Sequence, residues 1–221
     1  MAEPPFSTTR DDWLRMGLQI LVDEGAEAVK ILTLANRMGC SRSNFYWFFR
    51  DRDTLMSELL AQWQARNTAA IVDRATRPTT CISDGVLNIF DCWADPALFD
   101  VRLDFAIREW ARRSDKVASA VACADTIRVN AITSLFGRFG ARPTEASVRA
   151  RTLYFMQVGY YALGIRETDA DRIALLSDYV RAFCGEVPRT EQIEAFVQRN
   201  FGRNCLVEGN LTVGSEDGPM A

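Results

Sequence analysis

Between Thr33 and Leu55 the chain holds a group of side chains suited to one definite chemistry. Arg42, Ser43, Asn44, Tyr46 and Trp47 fall on the outer face of an expected short helix. Arg can bond guanine O6 and N7, Ser and Asn can bond base edges, and aromatic rings can pack on phosphates or thymine methyls. Arg42 is the leading candidate for a base contact, with Ser43 and Asn44 reading neighbouring bases. Tyr46 and Trp47 suit phosphate or methyl contact. Ser41 heads the helix, and Arg52 stands where the next one begins, placed to grip the nucleic-acid backbone. Catalysis finds no comparable group. The chain has no histidine, which removes imidazole bases and the Ser-His-Asp and Cys-His sites. It has no glycine-rich phosphate loop. The expected chemistry is recognition rather than turnover, and no cofactor is expected.

These residues need two closely crossed helices to carry them. Ala35 is small enough for the crossing, and Gly39 tolerates the left-handed conformation that ends a helix sharply. Leu34, Met38, Cys40, Phe45 and Phe48 or Phe49 supply apolar filling. Ser41 is a favoured N-cap, worth ~1 kcal/mol over Ala. An isolated Ala-xxx-Gly is common in helical proteins, but the full set predicts a helix-turn-helix whose second helix spans 41–49. Before it, Leu14, Gly17, Leu18 and Leu21 follow helical spacing, Thr9 and Asp12 form a capping-box pattern, and Gly25 is a stop. After it, Asp51 caps a helix over 51–66 with the stripe Leu55, Met56, Leu59, Leu60 and Trp63.

Charge supports the same reading. The whole chain carries 26 basic and 29 acidic residues, a net charge of −3. From Lys30 to Arg52, however, there are five cations (Lys30, Arg37, Arg42, Arg50, Arg52) and one anion, Asp51. A basic face on an acidic protein suits site-specific DNA binding more than general coating. No apolar run approaches the ~20 residues of a membrane helix, and Met1 to Thr9 does not read as a signal peptide. A soluble cytoplasmic protein with no membrane partner is expected. The six cysteines, Cys40, Cys81, Cys92, Cys123, Cys184 and Cys205, include no Cys-x-x-Cys pair. They read as reduced, mostly buried thiols, with no metal site. Cys205, in the polar tail, is the one expected to be exposed. A cysteine-based redox response on the same scaffold is the rival reading; a helical interaction protein without ligand sensing is another.

The rest of the chain is helical in pattern. Stripes run through Ile82–Trp93, Leu103–Trp110 and Val117–Leu135. Thr144 precedes a helix with Val148, Thr152, Phe155, Met156, Gly159 and Leu163 as its core stripe. Asp171 precedes one with Ile173, Leu176, Tyr179, Val180 and Phe183, and Pro188 and Thr190 introduce a last short helix. Tyr154, Gln157, Tyr160 and Tyr161 on the first of these late helices, and Leu175 on the second, form additional apolar faces. They either complete the core or meet a partner. Arg108, Arg112 and Arg113 read as a solvated face, with contact of one of them to an anionic ligand as the alternative. The expected fold is all-α: a helix-turn-helix domain over residues 1–50, a larger helical domain over 51–201, and a flexible tail over 202–221 with at most a weak strand pair around Leu206–Val213.

The chain resembles the TetR family of bacterial transcriptional regulators. That family's pattern has an amphipathic first helix, a Gly, a short second helix with Ile-Ala or Leu-Ala, another Gly, a polar stretch, a Tyr, a Phe and Lys-Glu-x-Leu. Here these positions read Gly25, Leu34-Ala35, Gly39, Ser41, Tyr46, Phe49 and Arg52-Asp53-Thr54-Leu55. The match is close over residues 9–60. It is weaker over 98–185, where Phe105–Arg113 and Val158–Leu163 carry it. Lys30 stands where the family often caps its second helix with Ser or Thr, and Arg52 where it often has Lys. The resemblance implies a homodimer built by two late helices, a palindromic operator in double-stranded DNA, and a small-molecule effector. It also implies an effector pocket, for which Phe90, Trp93, Phe105 and Trp110, with Phe99, are candidates. In that picture the protein is a repressor released by its effector, which shifts helix 51–66.

Overall fold

The computed structural model describes residues 8–202. Cys205 and the strand pair anticipated around Leu206–Val213 lie outside the described residues. Within them the chain is all-α, with no strand. The order is α1 (Arg10–Glu24), a 3-10 turn (Ala26–Ala28), α2 (Ile31–Arg37), α3 (Arg42–Phe45) and α4 (Arg52–Trp63). A π-turn (Gln64–Thr68) then joins α4 to α5 (Ala69–Thr76). After these come α6 (Ile82–Ala94), α7 (Val101–Ala111), α8 (Asp115–Arg138), α9 (Pro143–Ala162), α10 (Asp169–Cys184) and α11 (Thr190–Phe201).

Local chemistry explains most boundaries. Thr9 and Asp12 form the expected reciprocal capping box at α1. At α10 the box is Thr168 with Asp171, so Asp171 lies inside the first turn rather than before the helix. The Asp51 carboxylate accepts from the Thr54 amide at 2.8 Å and caps α4. Helix α4 does not end near residue 66. It runs through the π-turn into α5, so one nearly continuous rod extends from Arg52 to Thr76.

Two apolar cores flank a polar waist. The first core joins Trp13, Ile20, Leu34, Phe45, Leu55 and Leu59, and continues into Leu103 and Ile107 of α7 and Val117 and Val121 of α8. Burying each of these large side chains is worth roughly 1.5–3 kcal/mol. Gly17 is buried where α1 crosses α4; a Cβ there would sit 3.2 Å from Leu59 Cδ1. The second core gathers Ile71 and Ala75 of α5, Val86 and Ile89 of α6, Ile132 and Leu135 of α8, Leu153 of α9 and Val180 of α10. Both the α4–α5 rod and α8 contribute to each core. Between the cores lie Asn67, Thr68, Asp104 and Arg128, all buried and polar.

Helix α9 reverses a sequence expectation. Its buried residues are Ala146, Ala150, Leu153 and Tyr154. Val148, Thr152, Phe155 and Leu163, read above as a core stripe, face outward. The helix has two apolar stripes, and the smaller residues pack closely against α8 while the larger ones are left outside. On α10, Leu175 and Tyr179 are also exposed.

Candidate nucleic-acid interface

The turn between α2 and α3 is built as the spacing predicts. Gly39 has φ +63, a left-handed value that is cheap for glycine. The Cys40 amide then donates to the Ala35 carbonyl at 3.0 Å and closes the α2 end. Lys30 precedes α2 with no side-chain cap. Ser41 has the extended backbone of an N-cap, but its hydroxyl does not cap α3. Instead Ser41 Oγ lies 2.7 Å from Ser43 Oγ.

The second helix is shorter than the expected span 41–49. α-Helical geometry covers Arg42–Phe45 only. Beyond it the chain tightens: the Trp47 amide donates to the Asn44 carbonyl at 3.2 Å and the Phe48 amide to the Phe45 carbonyl at 3.0 Å. Phe45 drives this compaction. It is fully buried, meets Trp13 edge-on with centroids 5.2 Å apart, and stacks on Phe49 at 5.3 Å.

This geometry divides the seven expected contact residues. Ser41, Arg42, Ser43, Tyr46 and Trp47 are exposed, Tyr46 by 59% and Trp47 by 84%. Asn44 is turned inward: its Oδ1 accepts from Trp13 Nε1 at 3.3 Å and from the Thr8 hydroxyl at 2.7 Å. Arg52 is also committed. Its Nε donates to the Val29 carbonyl at 2.5 Å and an Nη donates to the Ala26 carbonyl at 2.7 Å. Those carbonyls belong to the first residue of the 3-10 turn and the residue that follows it, so Arg52 fastens α4 to the segment that leads into α2. With Nε and one Nη engaged by backbone carbonyls, the guanidinium is held against the protein rather than extended into solvent. Lys30, Arg42 and Arg50 are the exposed cations of the segment besides Arg37, which is paired with Glu24. Lys30 and Arg50 were legible in the sequence only as charge, not as contacts.

Thr54 and Arg50 hydrogen bonds hold the Asp51 carboxyl down at about 2. The cap is therefore an anion at the positive end of α4.

The aromatics expected to line a ligand pocket separate into two places. Phe90 and Trp93, with Met156, Leu176 and Phe196, line a small cavity of about 70 Å³ among α6, α9, α10 and α11. Arg172 and Tyr160 stand at its edge; the Tyr160 hydroxyl donates to Glu167 at 2.9 Å. Phe105 and Trp110 instead line a larger cleft of about 670 Å³ between the α1 end, α7 and α9. Phe99 is buried beneath Arg128, whose guanidinium carbon lies 5.4 Å from its ring centre.

Sequence reasoning missed the waist. Arg108, read as solvated, donates from Nε to Asp104 at 2.8 Å and grips Asp125 with both Nη groups at 2.9 and 2.6 Å. Arg128 is fully buried and donates to Asp104 at 3.0 Å and to the Tyr154 hydroxyl at 3.0 Å. Tyr154 donates to Asp125 at 2.7 Å. Desolvation works against the Asp104 anion, yet the guanidinium groups of Arg128 and Arg108 outweigh it and hold the carboxyl below its usual range. The signal was present: Arg128 continues the buried spacing Val117, Val121, Ala124, Ile132, Leu135 along α8.

Among the described residues the cysteines form no disulfide. Cys40, Cys81, Cys92, Cys123 and Cys184 are free thiols. Burial pushes the Cys92 thiol up to about 12 and raises that of Cys40, which makes both poor nucleophiles. No group of residues suited to a metal ion occurs among the described residues, and no described helix is long and apolar enough to cross a membrane.

No protein-family model matches the chain, and comparison with curated proteins gives no match. Solved structures do match. A putative TetR-family transcriptional regulator from Mesorhizobium loti superposes with a TM-score of 0.54 at 14% identity, over 86% of this chain and 95% of that one. The TetR-family repressor AlkX from a Dietzia strain, implicated in n-alkane biodegradation, gives a TM-score of 0.46 at 15% identity, over 84% of this chain and 100% of that one. The first likeness shows that the chain has the TetR-family fold.

Proposed function

We propose that the chain is a TetR-family transcriptional regulator that binds a palindromic operator as a homodimer and is released from it by a small molecule. The observation that carries this reading is the exposed face of Arg42, Ser43, Tyr46 and Trp47 around a rigid three-helix core. A folded domain that buries Phe45 and Phe49 while leaving an indole 84% exposed beside them presents that indole to a partner. The neighbouring cations Lys30, Arg42 and Arg50 suit polyanionic DNA. Arg42 reads a base, Ser41 and Ser43 assist, Tyr46 and Trp47 pack on backbone or methyl groups, and Lys30 and Arg50 supply phosphate contacts.

Residues 1–50 form the DNA-binding unit in this reading, and residues 51–201 the regulatory and dimerisation unit. The outward stripe of Val148, Phe155 and Leu163 with Leu175 and Tyr179 supports pairing of α9 and α10 with their symmetry mates. A two-fold dimer sets two recognition helices about one DNA turn apart. The effector occupies the apolar space beside Phe90 and Trp93, and the cleft at Phe105 and Trp110 is the alternative seat. Nothing in the placement of the described thiols favours a redox switch over ligand sensing.

The test is cyclic selection from random double-stranded DNA, followed by gel shift at several salt concentrations. Enrichment of a two-fold symmetric sequence is expected. Recovery of no preferred sequence overturns the reading.

A further inference from the structure

We infer that Arg128, far from the DNA-binding face, is a positioning residue for DNA binding. It holds the π-turn at Gln64–Thr68 and so fixes the orientation in which α4 enters the DNA-binding unit. This rests on the DNA-binding reading above.

The π-turn is what brings the waist residues of the rod to one side. An α-helix turns by about 100° per residue, so residues five apart would stand well around the helix from each other. The i→i+5 spacing of a π-turn stacks them instead. Trp63, Asn67 and Thr68 accordingly all face α7 and α8. Trp63 Nε1 donates to Asp104 at 2.8 Å. Arg128 Nε donates to the Thr68 hydroxyl at 3.1 Å, and its guanidinium carbon lies 5.0 Å from the centre of the Trp63 ring. The Asn67 amide donates to the Asp100 carbonyl at 2.9 Å and accepts from the Asp100 amide at 3.0 Å. One guanidinium thus touches both ends of the turn.

Placement and charge argue against a merely space-filling role. Arg128 occupies an apolar slot of α8, between the two cores, where a Leu or Met would fill the same stripe. Its charge and that of Arg108 are balanced by Asp104 and Asp125, and its second Nη finds no hydrogen-bond partner among the described residues. Such a buried ionic cluster is a costly way to gain stability, and its better-attested use is to fix register. Here the register is that of α4 against α5. A change of one residue is a turn of about 100° about the rod. The Arg52 bonds to Val29 and Ala26 would carry that turn to α2 and α3, and hence to the spacing of two recognition helices in a dimer.

The experiment uses the full chain with Arg128→Met, and Arg128→Met combined with Asp104→Asn. The double variant leaves no buried charge unbalanced and serves if the single one does not fold. Selection is repeated on palindromes built from the wild-type half-site with varied central spacing. The wild type is expected to prefer one spacing. The variants are expected to lose that preference, with affinity for the preferred site falling at least about fivefold while binding to one half-site is unchanged. Amide hydrogen exchange over residues 64–68 is expected to rise in the variants. Equal loss on every spacing, or an unchanged spacing preference, overturns the inference and leaves the DNA-binding reading intact. Failure of the wild type to select any DNA overturns that reading, and the inference with it.

Discussion

The indole of Trp13 donates to the side-chain oxygen of Asn44 across the α1–α3 contact at 3.3 Å. Trp13 is fully buried, so its N–H has no access to water and depends on this acceptor. A residue expected from the sequence to read DNA therefore works as a brace. Asn44→Ala is expected to cost about 1–3 kcal/mol of stability, the penalty for an unsatisfied buried donor. Chemical denaturation measures it. DNA affinity should drop alike on all sequences; a loss confined to one base pair would return Asn44 to base reading.

In the proposed DNA-binding reading, the inward turn of Asn44 leaves sequence readout to fewer side chains. Arg42 is exposed, is the one guanidinium on α3, and forms no salt bridge among the described residues. Arg42→Ala is expected to cost about 1–3 kcal/mol at its cognate base pair and to relax specificity there. Gel shifts on a set of singly mutated operators give the answer. Uniform weakening on every member would assign Arg42 to phosphate instead.

Arg50 and Arg52 divide the proposed phosphate contact from scaffolding. Arg52 satisfies two backbone carbonyls, so Arg52→Ala should lower stability by about 1–3 kcal/mol and leave the salt dependence of the folded protein unchanged. Arg50 is exposed, and its pairing with Asp51 is worth little. Arg50→Ala should keep the melting temperature and reduce the slope of log affinity against log salt by about 1. The two salt titrations check both halves, and a reversed pattern would restore Arg52 as the phosphate contact.

Asp51 makes the α4 cap sensitive to acid. Its folded value of about 2 lies below the ordinary 3.8, so folding favours the carboxylate. That contribution is fully present above about pH 4 and is lost as pH falls through about 2. Asn is an equally good N-cap that does not titrate in this range. The stability difference between the wild type and Asp51→Asn should therefore be constant near neutral pH and shift against the wild type between pH 4 and 2. Urea unfolding across that range measures it, and a pH-independent difference would show the bond to Thr54 to be immaterial.

The helix-turn-helix was legible because its signals are local. Thr9 with Asp12, Ala35, Gly39 and Asp51 each act within a few residues of themselves. The inward turn of Asn44 was not legible, since it depends on a tryptophan 31 residues away. Phe45, correctly read as core, pulls the chain so tightly that α3 stops after one turn. On α9 the sequence offers two apolar stripes, and only packing against α8 decides that Leu153 and Tyr154 go in while Phe155 stays out. Arg128 stood visibly in the buried stripe of α8, but its role could not be read for a similar reason. A charged residue in an apolar stripe is readable only when its counterions are known, and Asp104 lies on another helix.

The outward stripes of α9 and α10 support the last prediction. Phe155 is 46% exposed and Leu175 43%, and neither belongs to the apolar cores of the protomer. A core residue changed to a charge unfolds its domain, whereas a charge on an exposed apolar face is tolerated unless that face meets a partner. Phe155→Glu and Leu175→Glu should therefore leave the melting temperature of an isolated protomer nearly unchanged. In a two-fold dimer each substitution appears twice, and like charges are brought together near the symmetry axis. The dimer dissociation constant is expected to rise at least about tenfold, which needs only about 1.4 kcal/mol. Sedimentation equilibrium reads it directly. Palindrome binding should weaken with it, because the second half-site then binds as an independent molecule. Variants that stay dimeric with full operator affinity would place the dimer contact elsewhere on the protein.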